Sequence, residues 1–410
     1  MLCEIKPPLT LRDIIQYNFK HSSLLFCMKK VKIDEKKGNK NIKLLGASSL
    51  FNDVGSEMIT PILPFYILAL GGTGAAIGAL SGLREGLAGL FKIFGGWFSD
   101  ITGKRKKFVF AGYLISVVSR FVLAFVKIWQ SILFFVSIER IGKLRDAPRD
   151  AIIAQSTKKR GRGFGIHQAF DTIGGIIGTL LVIFLFWKLD LNFKTIIIVG
   201  ALLSSISLIP LFFVKEPKTK PVKKSLFQGI KNLDKKLKYF VFVAAIFALA
   251  NFGLSMFMIL LAKNLTGSIV TSFLLYALFN FIFALFVIPF GKLSDKIGRK
   301  KVLFMGYALF LFLTLSFIFL SSLIYLIIAF IIYGLVYAMT SSNQRALVSD
   351  ISGKMKGTAM GFFYFATGLI NILGGIVAGI LFDISYQTMF VYLSIISLIS
   401  IILLSFVREK

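Results

Sequence analysis

From about residue 43 onward the chain is a succession of apolar blocks separated by short polar breaks. Each block is roughly 20 residues long, enough for a helix to cross a hydrocarbon core about 30 Å thick. The blocks predict twelve helical spans: Lys43–Leu70, Gly74–Phe98, Phe108–Val126, Gln130–Gln155, Phe164–Trp187, Thr195–Val214, Tyr239–Leu261, Ser268–Gly291, Val302–Ser321, Leu323–Ser349, Thr358–Leu381 and Thr388–Val407. A longer polar stretch lies between the sixth and seventh. The expected organisation is a basic tail over residues 1–42, a six-helix bundle over 43–214, a linker over 215–238, a second bundle over 239–407 and a short tail over 408–410.

Composition agrees with a membrane solvent. Of 410 residues, 56% are hydrophobic, and the mean hydropathy is +0.80; soluble domains sit near about 45–50%. The net charge of +29 invites a nucleic-acid reading. Its distribution argues against one: 36 of the 48 Lys and Arg fall on one set of alternate loops and tails, and 4 on the other. This asymmetry places both termini and the linker in the cytoplasm of a cell-membrane protein, and it requires an even number of spans. Cys3 and Cys27 lack metal-ligand spacing, so neither a zinc site nor a disulfide framework is expected. No cleavable signal peptide is visible. Met28-Lys29-Lys30 reads as an ordinary start, which leaves residues 1–27 either native or an upstream extension.

The two predicted bundles repeat one another. Gly96-Trp97-Phe98-Ser99-Asp100-Ile101-Thr102-Gly103-Lys104-Arg105-Lys106 returns 195 residues later as Gly291-Lys292-Leu293-Ser294-Asp295-Lys296-Ile297-Gly298-Arg299-Lys300-Lys301. Arg149 and Arg345 correspond at an offset of 196, as do Gly161-x-x-x-Gly165 and Gly357-x-x-x-Gly361. Parallel six-span repeats are a recurring transporter plan. The duplicated Gly-x-x-x-Asp-x-x-Gly-basic-basic loop resembles the signature of the major facilitator superfamily, and the resemblance covers the chain from about Lys43. The run from Arg140 to Asp150 also resembles a prokaryotic subgroup of that superfamily without a clear substrate. The resemblance implies an all-α membrane protein of twelve helices in two parallel six-helix bundles. It also implies that the first two helices of each three-helix unit line a cavity while the third lies outside.

Within the signature loops, Asp100 and Asp295 stand out, because an acid in a cationic turn does nothing for topology. A carboxylate there seeks a cation or a helix N-terminus. For Asp100 the choices are Arg145, Arg149, or, as the resemblance implies, the start of the eleventh helix near Thr358. For Asp295 they are Arg345 or the start of the fifth helix near Gly163. Such contacts close only when the cytoplasmic side closes, so they would act as a latch between two states. Lys106, Lys107 and Lys301 are expected to set topology only.

Ionisable residues at membrane depth are functional candidates. At about 1.5 Å per residue, Asp53 lies about 15 Å and Glu57 about 21 Å into span 1. Arg84, Glu85, Glu139, Arg140 and Asp171 reach similar depths. Asp53 and Glu57 share a helix face, so either proton coupling, a static ion-paired network or direct substrate binding is open to this set. Arg140 matches the span-4 arginine of the superfamily's second motif, with a shortened spacing to Gly142 that makes Arg145 its rival. Arg120 in span 3 has no evident partner, and Lys92 is near enough to the edge to snorkel. Asp171, one turn from His167, is its expected partner. Glycines 165, 174 and 178 resemble those of the superfamily's antiporters, but the proline that follows them there is missing. Pro61 and Pro64 are expected bending points of span 1. In the second half, Asn251, Tyr276, Asn280, Tyr364 and Asn371 make a neutral wall with many Phe residues.

This pattern points to a secondary transporter moving a small, amphiphilic solute by alternating access, coupled to protons, with efflux as the direction to test. Movement of lipids or lysolipids, and a sensor on the same fold, are the alternatives. No Walker loop, His-Glu-x-x-His pair or Gly-x-Ser-x-Gly elbow is present, so neither ATP-driven transport nor an enzyme is expected. No cofactor, metal or nucleic-acid partner is expected, and the chain is expected to be a monomer.

Overall fold

In the computed structural model, residues 35–157, 160–216, 231–319, 322–352 and 356–407 are described. The expectations for residues 1–34, for most of the linker and for the C-terminal tail lie outside them. Among the described residues the chain is helical, with no strand.

Span 1 comprises Glu35–Ile59, a 3-10 turn at Thr60–Ile62, and Leu63–Ala69. Span 2 is Gly74–Thr102 and span 3 Arg105–Leu123. Span 4 runs as Trp129–Ile141, a 3-10 segment Gly142–Arg145, and Asp146–Ser156. Span 5 is Arg160–Trp187, and span 6 joins Phe193–Ser205 to Leu208–Phe213. Span 7 is Lys235–Ala250 with Ser255–Thr266. Spans 8 to 12 are Ile269–Ile297, Arg299–Phe317, Leu323–Ile351, Lys356–Ile384 and Tyr386–Ser405. Spans 5–12 are each long and apolar enough to cross a membrane. The first four are shorter, broken or interrupted by charge.

The breaks have local causes. Pro61 and Pro64 lack the N–H that a continuing helix would use, and the 3-10 turn forms there. Span 7 breaks at the equivalent place, over residues 251–254, without any proline. Gly253 adopts a φ of 109° and its carbonyl accepts from buried Ser81 Oγ at 2.6 Å. The first helix of each half is thus interrupted at matching depth.

Span 1 begins before Lys43, so residues 35–42 are helix instead of tail. Asn41 pins this extension to the end of span 6, its Nδ2 donating to the Lys215 carbonyl at 2.8 Å and its Oδ1 accepting from the Lys215 N–H at 3.0 Å. Ile42 is buried beside Ile152, Ile153 and Leu211.

The signature loops fold as the repeat predicts. Gly103 ends span 2 with a left-handed φ of 67°, and Gly298 ends span 8 at φ 101°, a region costly to a side-chain-bearing residue. Lys106 Nζ donates to the Phe212 carbonyl at 2.9 Å and Lys300 Nζ to the Ser405 carbonyl at 2.6 Å. Each loop therefore supplies a cation to the free C-terminal carbonyls of the last span in its half. For Lys106 this corrects the expectation of a purely topological role.

The face bearing these loops is called the basic face here. Toward the other face the two halves meet closely. Spans 2 and 11 pack through Gly74, Gly78, Gly82 and Gly86 against Gly368, Asn371, Gly375 and Gly379, where an added Cβ would overlap the facing backbone or side chain. Small residues of this kind let membrane helices approach. Phe273 of span 8 packs edge-on to Phe65 and Phe186 with ring centroids 6.0 and 5.5 Å away.

Candidate functional site: a cavity between the halves

With one face sealed, the halves diverge toward the other and leave a cavity of about 950 Å³. Its walls come from spans 1, 2, 4, 5, 10 and 11. Among the described residues, spans 3, 6, 9 and 12 contribute nothing to it, as the resemblance implies, but neither do spans 7 and 8, which the resemblance places at the cavity.

The two walls differ in their share of charge. The first half supplies Asp53, Lys92, Lys143, Asp146, Arg149 and Asp171, together with Ser49 and His167, and also Phe94, Trp97 and Phe164. The second half supplies Met360, Phe362, Tyr364 and Phe365 of span 11 and Arg345 of span 10. The charged wall is built on the 3-10 segment of span 4. Asp146 lies 3.4 Å from Lys92 Nζ and 3.6 Å from Arg149 Nη1, and Arg149 Nη2 also pairs with Asp150 at 3.2 Å. Lys92 is thus tied to span 4 and lies 6.0 Å from the Tyr364 ring of the opposite half, which corrects the snorkelling expectation. Lys143 lines the cavity and has no ion pair within 4.0 Å among the described residues. Its charged neighbours include Asp146 and Asp53.

Asp53 accepts from Asn52 Nδ2 at 3.0 Å, and its charged neighbours include Asp171 and Lys143. Asp171 meets His167 Nδ1 at 3.3 Å as expected. The His167 side chain is 5% exposed, and its Nε2 is buried without a hydrogen-bond partner. Asp53, His167, Asp171 and Lys143 therefore form a titratable corner of the cavity, nearly free of fixed ion pairs.

Other predicted residues lie elsewhere. Glu57, one turn beyond Asp53, accepts from Tyr276 Oη of span 8 at 2.9 Å, a bond between the halves. Arg84 donates to Thr60 Oγ1 at 2.9 Å and so holds the 3-10 break of span 1. Glu85 lies against the span 7 break at Gly253. Asn251 accepts from Tyr333 Oη at 3.2 Å, while Asn280 Nδ2 and Asn371 Oδ1 are buried without partners. None of these lines the cavity; of the expected neutral wall only Tyr364 does.

Glu139 and Arg140 were expected to border the crevice, and the structure corrects this. Both are 7% exposed and sealed in a network centred on Arg120. Arg120 Nη2 donates to Glu139 Oε1 at 2.8 Å, and its Nη1 reaches the Asn52 carbonyl at 3.0 Å and Ser204 Oγ at 2.6 Å. Arg140 Nε holds the other Glu139 oxygen at 2.9 Å. Spans 1, 3, 4 and 6 are joined through these charges. Arg120, which had no evident role, is the hub.

The latch residues are apart. Asp100 pairs with Arg105 of its own loop at 2.9 Å. Asp295 pairs with Arg299, which also meets Asp350 at 3.3 Å. Arg345 is exposed and bonds back to the Ser341 carbonyl at 3.0 Å. Arg145 is turned away from both. It is fully buried, donates to Ser116 Oγ at 2.8 Å and the Gly142 carbonyl at 2.9 Å, and lies 4.4 Å from the Tyr113 ring centroid. Its guanidinium anchors span 4 to span 3, which removes it as a partner for Asp100. Arg149 keeps access to the cavity.

Comparison with known proteins gives a consistent picture. The family model described as Major Facilitator Superfamily matches residues 45–259 and 240–410. The protein named uncharacterized MFS-type transporter MJ1317, of Methanocaldococcus jannaschii, is 43% identical over 379 residues, covering 90% of this chain and 95% of the relative. A multidrug resistance protein MdtH of Baumannia cicadellinicola is 24% identical, covering 82% of each chain. Among solved structures, the nucleoside transporter NupG superposes with a TM-score of 0.72 at 16% identity, covering 89% of this chain and 98% of its own. A bacterial homologue of the human lysosomal transporter Spinster, in an inward-facing and unoccupied conformation, gives 0.70 at 15% identity, covering 90% and 96%.

Proposed function

The chain belongs to the major facilitator superfamily, whose members carry small-molecule solutes across membranes, and we propose that it transports an amphiphilic organic solute by alternating access, driven by protons. The observation that carries this reading is the mixed charged and aromatic lining of the cavity. Acids and bases, nearly all from the first half, share the lining with Phe94, Trp97 and Phe164 of that half and Phe362, Tyr364 and Phe365 of the other, and the lining reaches Asp100 and Arg345 at the basic face. By the positive-inside rule the basic face is cytoplasmic, so this is an inward-open state. A solute with a polar head and an apolar body fits such a lining, whereas an inorganic ion leaves its aromatic surface unused. The multidrug-resistance names of relatives at 23–24% identity agree with such a solute and with efflux.

The proton step is assigned to the corner formed by Asp53, His167 and Asp171. Among the described residues Asp53 has one hydrogen-bond donor, the neutral Asn52, and no ion pair locks its charge. It lies in the cavity, where protons from the basic side reach it directly. Closure would carry it to the other side of the seal.

The test begins with a thermal-shift screen of amphiphilic compounds on the purified protein, since a ligand of the folded state raises its stability. Hits are then followed in proteoliposomes. For Asp53→Asn and Asp171→Asn, uphill movement driven by a pH gradient is expected to vanish while solute counterflow persists. Full pH-driven accumulation in both variants would remove the proton assignment. Absence of flux for every bound compound would instead favour a sensor.

A further inference from the structure

Spans 2 and 11 run antiparallel along the whole interface. At the sealed face, span 11 ends in Phe382-Asp383-Ile384 and span 2 begins at Gly74. The Asp383 carboxylate sits on that beginning. It accepts from the Gly74 N–H through Oδ1 at 2.6 Å and from the Ala75 N–H through Oδ2 at 2.8 Å. Thr73, the residue that would cap this helix locally, makes no side-chain bond to it. The cap of span 2 is thus supplied by the other half of the protein.

The basic face holds the mirror arrangement with its contact open. Span 2 ends with Asp100 in its last turn, and span 11 begins at Lys356. Asp100 and Thr358 line opposite parts of the cavity mouth, and the Asp100 side chain is 55% exposed and bonded within its own loop. Each of the two antiparallel helices therefore carries an acid on its last turn and an N-terminus able to receive one from its partner. One of the two contacts is made and the other is not.

We infer that Asp383 is a latch for the sealed face, reciprocal with Asp100, so that spans 2 and 11 exchange caps when the protein changes state. Rocking the halves to close the basic face brings Asp100 to the start of span 11 and pulls the start of span 2 off Asp383. A carboxylate on a helix N-terminus stabilises it through paired N–H donors and the helix dipole. Because the same two helices carry both contacts, holding one opposes the other. This inference rests on the alternating-access reading above, and its test separates the two.

Spin labels at Thr102 and Lys296 report the basic face, and labels at Lys188 and Lys263 report the opposite face; all four positions are exposed. Double electron–electron resonance in nanodiscs gives the population of each state. In Asp383→Asn, the ratio of outward-open to inward-open protein is expected to rise by about fivefold, the scale of an exposed charge at a helix terminus. Ala75→Pro removes one of the two N–H donors without touching Asp383, in a first-turn position that tolerates proline, and is expected to act in the same direction. Asp100→Asn is expected to move the ratio the other way, and the Asp383→Asn, Asp100→Asn double variant to return toward the starting ratio. Unchanged distances at both faces in Asp383→Asn and Ala75→Pro, while Asp100→Asn or bound solute still shifts them, would overturn the Asp383 latch and leave alternation standing. A single fixed distance at each face in every variant, with and without solute, would overturn both.

Discussion

Replacing Glu139 with Gln is expected to cost more stability than any other single change to a charged residue in the chain. The substitution keeps the shape but removes the one negative charge between Arg120 and Arg140, which lie 2.8 and 2.9 Å from its two oxygens. Both guanidiniums are buried, and Arg140 Nη2 already lacks a hydrogen-bond partner. Removing one member of a buried ionic set leaves uncompensated charge in low dielectric, at a cost of about 3–5 kcal/mol. Thermal unfolding of the purified variant should show a large loss of stability before any transport assay is attempted. Removing the whole set is a different matter. Apolar replacement of Arg120, Glu139 and Arg140 together should recover much of the loss, since well-packed hydrophobic groups commonly match a buried ionic cluster. If Glu139→Gln unfolds like the parent and only flux suffers, the network belongs to transport instead of architecture.

The second large effect is expected at the glycine seam of spans 2 and 11. Gly78 faces the Gly375 carbonyl and the backbone of Gly379, and Gly375 faces the Gly78 carbonyl and Gly82 in turn. A leucine at either position has nowhere to go in the sealed state. Overpacking of this kind costs about 1–3 kcal/mol even where neighbours yield. Here the strain exists only when this face is shut, so it acts on the balance of states. A difference of that size shifts a conformational ratio roughly 5- to 150-fold. Gly78→Leu and Gly375→Leu should therefore hold the protein open at the glycine face and bring flux to background, with a smaller effect for alanine. Retained flux in both leucine variants would mean that this seam opens and closes without the close backbone contact between Gly78 and Gly375.

The sequence made the twelve spans, the duplicated loop and the charge asymmetry legible because each is a property of residues near one another in the chain. The partners of buried charges were less legible, since facing is set by helix packing. Arg120 stood unexplained because its partners Asn52, Glu139 and Ser204 lie 68, 19 and 84 residues away on three other spans. Asp146 and Lys143 carry no individual expectation, and Lys92 is given to the membrane edge, for another reason. The 3-10 segment Gly142–Arg145 winds tighter than an α-helix, so the helix Asp146–Ser156 sits at a different angle from the one a straight span 4 would give it. The result presents Asp146 and Arg149 to the cavity and buries Arg145 against Tyr113. The run from Arg140 to Asp150 contained the signal, in four basic residues and two acids within one predicted span. The break in span 7 had even less to announce it: a single Asn251-Phe252-Gly253 without proline, whose role shows only when Ser81 of span 2 meets the Gly253 carbonyl.

The unequal walls of the cavity carry a consequence for how such a protein diverges. All but one of the charge-bearing groups come from the first repeat, whereas the second contributes mainly Met360, Phe362, Tyr364 and Phe365, although both repeats descend from the same pattern. Drift in Met360, Phe362 and Phe365 would retune which cargo is accepted while the ionisable corner on spans 1, 4 and 5 stays intact. A lineage could then exchange substrates without rebuilding its energy source, and relatives that share the Arg140–Asp150 run but differ along span 11 would be expected to differ in what they carry.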